Sequence, residues 1–107
     1  MEARAPSVTE ARVALRFPGS HPALAGHFPG NPIVPGALLL SEVAAAALAE
    51  LRCTVQSVRR AKFRRPLLPD QPYELVLTRR DNAISFRCVG PDAAVMAEGV
   101  MHAEPVA

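Results

Sequence analysis

The sequence predicts one α+β domain, residues 1–107, in which an antiparallel sheet wraps around a single helix. Three observations favour this class: one long segment of helix formers without Gly or Pro, several short segments with strand-like alternation, and turn residues between them. A chain of 107 residues supports a single core, near the small end of self-sufficiency. Half of the residues are hydrophobic and only 5% are aromatic, which is typical of a compact aliphatic core.

The first predicted element is a strand over residues 9–17. Its odd positions are mostly apolar, whereas Glu10, Arg12 and Arg16 fall on the other face. Residues 18–36 then contain nine prolines and glycines, which prevents regular structure over that segment. Ordered loops of this length are usually functional, so this segment is the first place to look for a site.

The next element is a helix of about four turns with the sequence ALLLSEVAAAALAELR, residues 37–52. It is apolar nearly all round, and Glu42 is its only charge before Glu50. Such a helix is normally enclosed by other structure rather than lying on a surface.

Four strand-like segments follow the helix, and Pro, Gly, Asp and Asn mark the joints between them. Short turns between alternating segments predict antiparallel neighbours, so we expect a meander. The predicted segments are 54–63, 73–79, 83–89 and 94–102.

Composition argues against several functional classes. Cys53 and Cys88 have no CxxC companion and the three histidines are far apart, so the sequence predicts neither a metal site nor a cofactor. The N-terminal residues lack the apolar region of a signal peptide, which predicts a cytoplasmic protein with reduced thiols. The longest apolar stretch is too short to cross a membrane.

The charge distribution predicts an acidic partner. Residues 51–69 contain six basic side chains and no acidic ones, which creates a local positive field. A solvated basic face is the simpler alternative. Nucleic acid is disfavoured as the partner because aromatic side chains are not interleaved with the basic ones.

The Pro- and Gly-rich loop holds the residues best suited to chemistry. His27 lies between Gly26 and Phe28 in a stiff segment, and histidine is the natural general base near neutral pH. Gly36 precedes the helix, whose first N–H groups have no intrahelical acceptor and can polarise a carbonyl. Taken separately, a lone histidine in a loop is more often structural or incidental than catalytic, and Gly36 is equally compatible with a plain helix start.

The run GHFPGNPIVPGALLL, residues 26–40, resembles the signature of the hotdog-fold 3-hydroxyacyl-acyl carrier protein dehydratases of fatty acid synthesis. KFRRPLLPDQP and MAEGVM look like later parts of that family in the right order, and HPALAGHFPGNPIVPG resembles a small branch akin to aryl polyene dehydratases. The resemblance implies that His27 removes the proton next to the thioester and that the Gly36 N–H binds the thioester carbonyl. It also implies an apolar pocket with the walls Phe28, Ile33, Val34 and Leu38.

One catalytic position departs from the family. The family places an acidic residue fourteen positions after the histidine, where this chain has Ser41. Glu42 is adjacent, but one helical residue turns a side chain by about 100° onto another face. Three alternatives remain open. Ser41 orients a water or the substrate hydroxyl, Glu42 reaches the site through a shifted helix, or the protein binds acyl thioesters without dehydrating them. Thioester hydrolysis is a further alternative reaction.

The resemblance also implies the partners. Family members form dimers whose sheets join, each active site taking its histidine from one chain and its acid from the other, so we expect a homodimer or a larger oligomer. Acyl carrier proteins are acidic, which gives the basic run a partner through Arg59, Arg60, Lys62, Arg64 and Arg65. The rival hypothesis is a non-catalytic acyl-binding subunit whose heterodimeric partner supplies the acid.

Overall fold

The computed structural model describes residues 8–24 and 33–106. In these two ranges it contains five strands, one α-helix and one short 3₁₀ helix. The helix and all five strands predicted from the sequence are confirmed, and the largest differences are at strand ends. The elements are β1 (Val8–Leu15), the 3₁₀ helix (Pro22–Leu24), α1 (Gly36–Leu51), β2 (Cys53–Phe63), β3 (Tyr73–Arg80), β4 (Ala83–Val89) and β5 (Val95–Pro105).

The five strands form one antiparallel sheet with the order β1-β3-β4-β5-β2. β3, β4 and β5 form the expected meander, but the expectation that β2 belongs to it is wrong, because β2 pairs with β5. The connector from β2 to β3, residues 64–72, contains Pro66, Pro69 and Pro72, so it cannot form a tight hairpin. It instead carries the chain across the sheet.

β2 is an edge strand with two irregularities. The register with β5 shifts between Val55 and Ser57 and again between Val58 and Arg60, so one residue is extra at each place. Cross-strand neighbours share a face of the sheet, and on the inner face, towards α1, the β2 residues lie opposite buried residues of β5. These pairs are Val55 with Ala103, Val58 with Met101, Ala61 with Gly99, and Phe63 with Ala97.

One face of α1 packs on the inner face of the sheet. Its buried residues are Leu39, Val43, Ala46, Ala47 and Leu51, and they join the buried residues of the strands in one hydrophobic core. In the single chain the sheet covers one side of α1, so the enclosure that the sequence predicts is provided on that side alone. Within the described ranges, no helix is long and apolar enough to cross a membrane.

The opposite side of α1 is exposed. It carries Ala37, Ser41, Ala45 and Leu48 in successive turns, and Leu48 is 49% exposed. We call these four residues the exposed helix stripe. A partner covering the stripe would remove an apolar surface from water.

Both cysteines lie in the core. Cys53 begins β2 and Cys88 lies in β4, and both are buried free thiols. Burial raises the pKa of the Cys88 thiol to about 11, because the thiolate loses its hydration there. These thiols are therefore parts of the packing rather than reactive groups.

Candidate functional site

The N-terminus of α1 presents backbone donors without a side-chain cap. Pro35 occupies the cap position, and its carbonyl accepts hydrogen bonds from the N–H groups of Leu38 and Leu39, at 3.0 and 3.4 Å. Among the described residues, the N–H groups of Gly36 and Ala37 have no acceptor. Two free donors at the positive end of a 16-residue helix suit a carbonyl that acquires negative charge.

The ring of Phe63 lies directly against Gly36. A Cβ atom built on Gly36 would be 2.8 Å from Cζ of Phe63, closer than real Cβ contacts. A side chain at position 36 would therefore push the exposed Phe63 ring away from the start of α1. Phe63 was not predictable as a site residue, because the two register shifts in β2 obscure the alternation that would have placed it on the inner face.

Gly36 and Phe63 lie at the edge of a cavity of about 560 Å³, within the size range of small-molecule sites. Two predicted walls, Ile33 and Val34, line it, whereas Leu38 is half-buried against the core and is not among the lining residues. The other lining residues lie around the helix start and in the connector after β2: Pro35, Gly36, Phe63, Arg64, Arg65, Pro66 and Leu67.

Backbone hydrogen bonds hold the two walls of this cavity together. The N–H of Val34 donates to the carbonyl of Leu67 at 2.8 Å, which ties the segment before α1 to the connector after β2. The connector is tied in turn to β5, because the N–H groups of Arg64 and Arg65 both donate to the carbonyl of Met96. The cavity is therefore bounded by backbone that is fixed to the sheet.

Ser41 and Glu42 occupy different faces of α1. Ser41 belongs to the exposed helix stripe, whereas Glu42 is half-buried, as the turn of about 100° between adjacent residues predicts. Neither lines the cavity, and within the described ranges neither side chain has a hydrogen bond or an ion pair. His27 and Phe28 lie outside the described residues.

The basic run does not form one patch. Arg64 and Arg65 line the cavity beside Gly36, while Arg60, Lys62 and Arg64 line a separate groove on the outer face of the sheet, away from α1. Arg59, the extra residue of the second register shift, lines a third depression with Arg80. Strand alternation and the register shift together distribute these cations over different surfaces.

A family model described as ApeI-like, ApeI dehydratase, matches residues 3–100 of the chain. The chain belongs to the ApeI-like dehydratase family. A 3-hydroxyacyl-[acyl-carrier-protein] dehydratase FabZ of Ehrlichia chaffeensis is 35% identical over 79 residues, covering 64% of this chain. The ApeI-like chain spans 55% of the length of that curated relative.

Solved structures share the fold of this ApeI-like chain. An uncharacterised protein from Erwinia carotovora subsp. atroseptica superposes with a TM-score of 0.81 at 22% identity, covering 97% of this chain and 90% of that one. The dehydratase heterocomplex ApeI:P from Xenorhabdus doucetiae gives a TM-score of 0.71 at 23% identity, covering 88% and 86% of the two chains. The fold is the hotdog fold that the sequence predicted.

Proposed function

We propose that this chain is a subunit of a dehydratase that removes water from a 3-hydroxyacyl group on an acyl carrier protein, in fatty acid or polyketide biosynthesis. The observation that carries the proposal is the uncapped N-terminus of α1, with Gly36 at the edge of a cavity of about 560 Å³, in a member of the ApeI-like family. Free N–H groups beside a largely apolar cavity are suited to holding a thioester carbonyl next to an acyl chain.

The chemistry divides between two residues. The carbonyl oxygen accepts a hydrogen bond from the Gly36 N–H, which makes the neighbouring C2–H more acidic. His27 takes the C2 proton as the C2–C3 double bond forms and the C3–O bond breaks. The departing oxygen receives a proton and leaves as water, and the product is a trans-2-enoyl thioester.

Ser41 stands where the family delivers that last proton. A serine hydroxyl is a hydrogen-bond donor and acceptor rather than an acid near pH 7. Ser41 therefore orients the substrate hydroxyl, or a water that relays the proton from His27. Loss of a general acid costs about 10²- to 10⁴-fold in rate, so the reaction catalysed by this chain alone is slow.

The proposed active site requires a second copy of the chain. β2 has an unpaired edge, and its inner-face residues Val58 and Phe63 are 43% and 46% exposed. The exposed helix stripe, which includes Ser41, lies uncovered on the α1 side of the same sheet. Antiparallel pairing of β2 with the same strand of a second copy would extend the sheet and bring the two stripes together.

A second candidate is a subunit without independent activity whose partner supplies the acid. The specific observation in its favour is that Ser41 replaces the acid on a helix face that one chain leaves exposed. A different chain that carries a carboxylate on its own helix could cover this face. In that arrangement, His27 and Gly36 of this chain still bind and activate the thioester.

The proposal is tested with the reverse reaction, the hydration of a trans-2-enoyl thioester, which is monitored through the loss of the conjugated absorbance. We expect slow hydration by the wild type, no hydration by His27→Ala, and unchanged hydration by Glu42→Gln, because Glu42 lies on another helix face. Ser41→Asp should raise the rate by about 10- to 1,000-fold if the acid position is intact. Ser20→Asp adds the same charge at an exposed loop position and should change nothing.

The outcomes separate the candidates. A wild type that is inert while Ser41→Asp is active refutes the homodimeric enzyme and supports the subunit that needs a partner acid. Inactivity of both proteins, with normal folding, refutes dehydration as the function. Loss of wild-type activity in Glu42→Gln refutes the assignment of Ser41 to the acid position.

A further inference from the structure

The outer face of the sheet carries a groove that the proposed reaction does not use. Its volume is about 410 Å³. We call it the outer groove. Its lining residues come from β2, β3, β4 and β5 and from the start of the connector: Arg60, Lys62, Arg64, Thr78, Ser85, Phe86, Arg87, Glu98, Gly99 and Val100.

The sheet register brings the basic residues of three segments together there. Lys62 of β2 and Arg87 of β4 both lie opposite Glu98 of the intervening strand β5. In the neighbouring row, Arg60 and Ser85 both lie opposite Val100. Residues far apart in the sequence thus form one surface, which was not predictable without the register of the sheet.

Most of the positive charge in the outer groove is uncompensated. The only carboxylate among the lining residues, Glu98, forms its ion pair with Arg64. Arg60, Lys62 and Arg87 are exposed, and within the described ranges none of these three side chains has a hydrogen bond or an ion pair. Lys62 and Arg87 flank Glu98 on its two sides and Arg60 lies in the next row, so four cations share this one carboxylate.

The donors match an oxyanion with several oxygen atoms. Guanidinium groups present planar pairs of N–H donors that suit phosphate, and Lys62 adds a mobile ammonium. The hydroxyl groups of Thr78 and Ser85 line the same groove and can donate further hydrogen bonds. A groove of about 410 Å³ is also large enough for more than a single phosphate group.

We propose that the outer groove is a second ligand site, which binds a phosphate-bearing group through Arg60, Lys62 and Arg87. Two sources offer this chemistry: a free phosphorylated small molecule, or a phosphate within the carrier of the thioester. Arg64 lines both the outer groove and the cavity beside Gly36. A phosphate in the outer groove and a thioester in the cavity would therefore lie on the two sides of the end of β2. The second source, unlike the first, rests on the proposed function.

Titration calorimetry with inorganic pyrophosphate, at about 150 mM salt to screen exposed charges, tests the site without any catalysis. We expect saturable binding that Arg87→Gln and Lys62→Gln each weaken at least tenfold. Arg16→Gln removes the same charge from an exposed residue outside the groove and should leave the affinity unchanged. Circular dichroism checks that each variant is folded.

Absence of saturable binding to the folded wild type overturns the proposal. It is equally overturned if Arg16→Gln weakens binding as much as Arg87→Gln, because the effect would then come from net charge alone. Neither result bears on the thioester reaction, whose test uses His27 and Ser41. Failure of one proposal therefore leaves the other intact.

Competition kinetics with the wild type distinguish the two sources. If the phosphate belongs to the thioester carrier, pyrophosphate raises the KM for a phosphopantetheinyl enoyl thioester but not for a truncated thioester without phosphate. If the ligand is a separate small molecule, pyrophosphate binds with the same affinity and competes with neither substrate. Both results support a phosphate site in the outer groove.

Discussion

Gly99 of β5 lies directly against the backbone of the irregular strand β2. A Cβ atom on Gly99 would lie 2.3 Å from the carbonyl oxygen of Arg60 and 2.7 Å from the ring of Phe86. Real Cβ atoms are essentially never closer than 3.0 Å to another heavy atom, so Gly99→Ala must move the β2 backbone by at least 0.7 Å or distort β5. The obstacle is backbone, which cannot rotate away as a side-chain end can.

Overpacking of this kind costs about 1–3 kcal/mol, and backbone displacement belongs at the upper end of that range. The substitution also restricts the unfolded chain, which offsets about 0.4–1 kcal/mol. We therefore expect Gly99→Ala to lower the free energy of unfolding by about 2 kcal/mol, which corresponds to a fall in Tm of about 8–16 °C for a domain of this size.

Urea unfolding followed by circular dichroism, at one fixed protein concentration, measures the effect. Gly90→Ala is the matched control, because the nearest atom to its Cβ would be the thioether sulfur of Met96, at 3.2 Å, which can shift. We expect the control to stay within about 1 kcal/mol of the wild type. A Gly99→Ala protein as stable as Gly90→Ala would refute the close approach of β2 to Gly99.

Three further predictions concern the dimer, the site and the core. Leu48→Glu places a charge on the exposed helix stripe and should shift the protein to a monomer, as measured by light scattering. Gln71→Glu, on the connector, adds the same charge and should leave the dimer intact. Equal molecular masses for the two variants would contradict the proposed dimer. Gly36→Ala should reduce the rate of enoyl thioester hydration at least tenfold, because the added methyl group obstructs the N–H. The free energy of unfolding should change by no more than about 1 kcal/mol, because the exposed Phe63 ring can move. Unchanged activity would remove Gly36 from the site. Since the pKa of Cys88 is raised from 9.0 to about 11, the folded state holds this proton more tightly, and the resulting stability is complete below pH 9 and lost as the pH rises to 11. Over that window the wild type should lose up to about 3 kcal/mol more unfolding free energy than Cys88→Ala, and parallel curves would contradict the burial effect.

The sequence predicted the local elements well because their signals are local. The Gly- and Pro-free stretch after Gly36 becomes α1, and the alternation in residues 83–89 becomes β4 with the same bounds. The pairing of β2 with β5 was not predictable, since the prolines of the connector show that a hairpin is excluded but not where the chain goes. Which side of α1 the sheet covers was not predictable, because alanines on all sides of the helix look alike.

The candidate site was predictable only in part for a related reason. Gly36, Ile33 and Val34 lie close together in the sequence, and the structure places all three around one cavity. Phe63 contacts Gly36 from a distant strand, and Arg87 joins the outer groove from another, so both required the sheet register. The placement of His27 relative to Ser41 stays a prediction, since His27 lies outside the described residues.

The two extra residues of β2 decide which side chains in the middle of this strand face the core. Strict alternation from Cys53 would turn Ser57 and Arg59 towards the core. The first register shift turns Val58 there instead, and the second restores the original phase, so that Ala61 and Phe63 keep the inner face. A regular strand of the same sequence would therefore place a hydroxyl and a guanidinium against the core and expose Val58 on the outer face. The two insertions thus act as a pair: they keep the guanidinium of Arg59 out of the core without changing the face on which Lys62 or Phe63 lies.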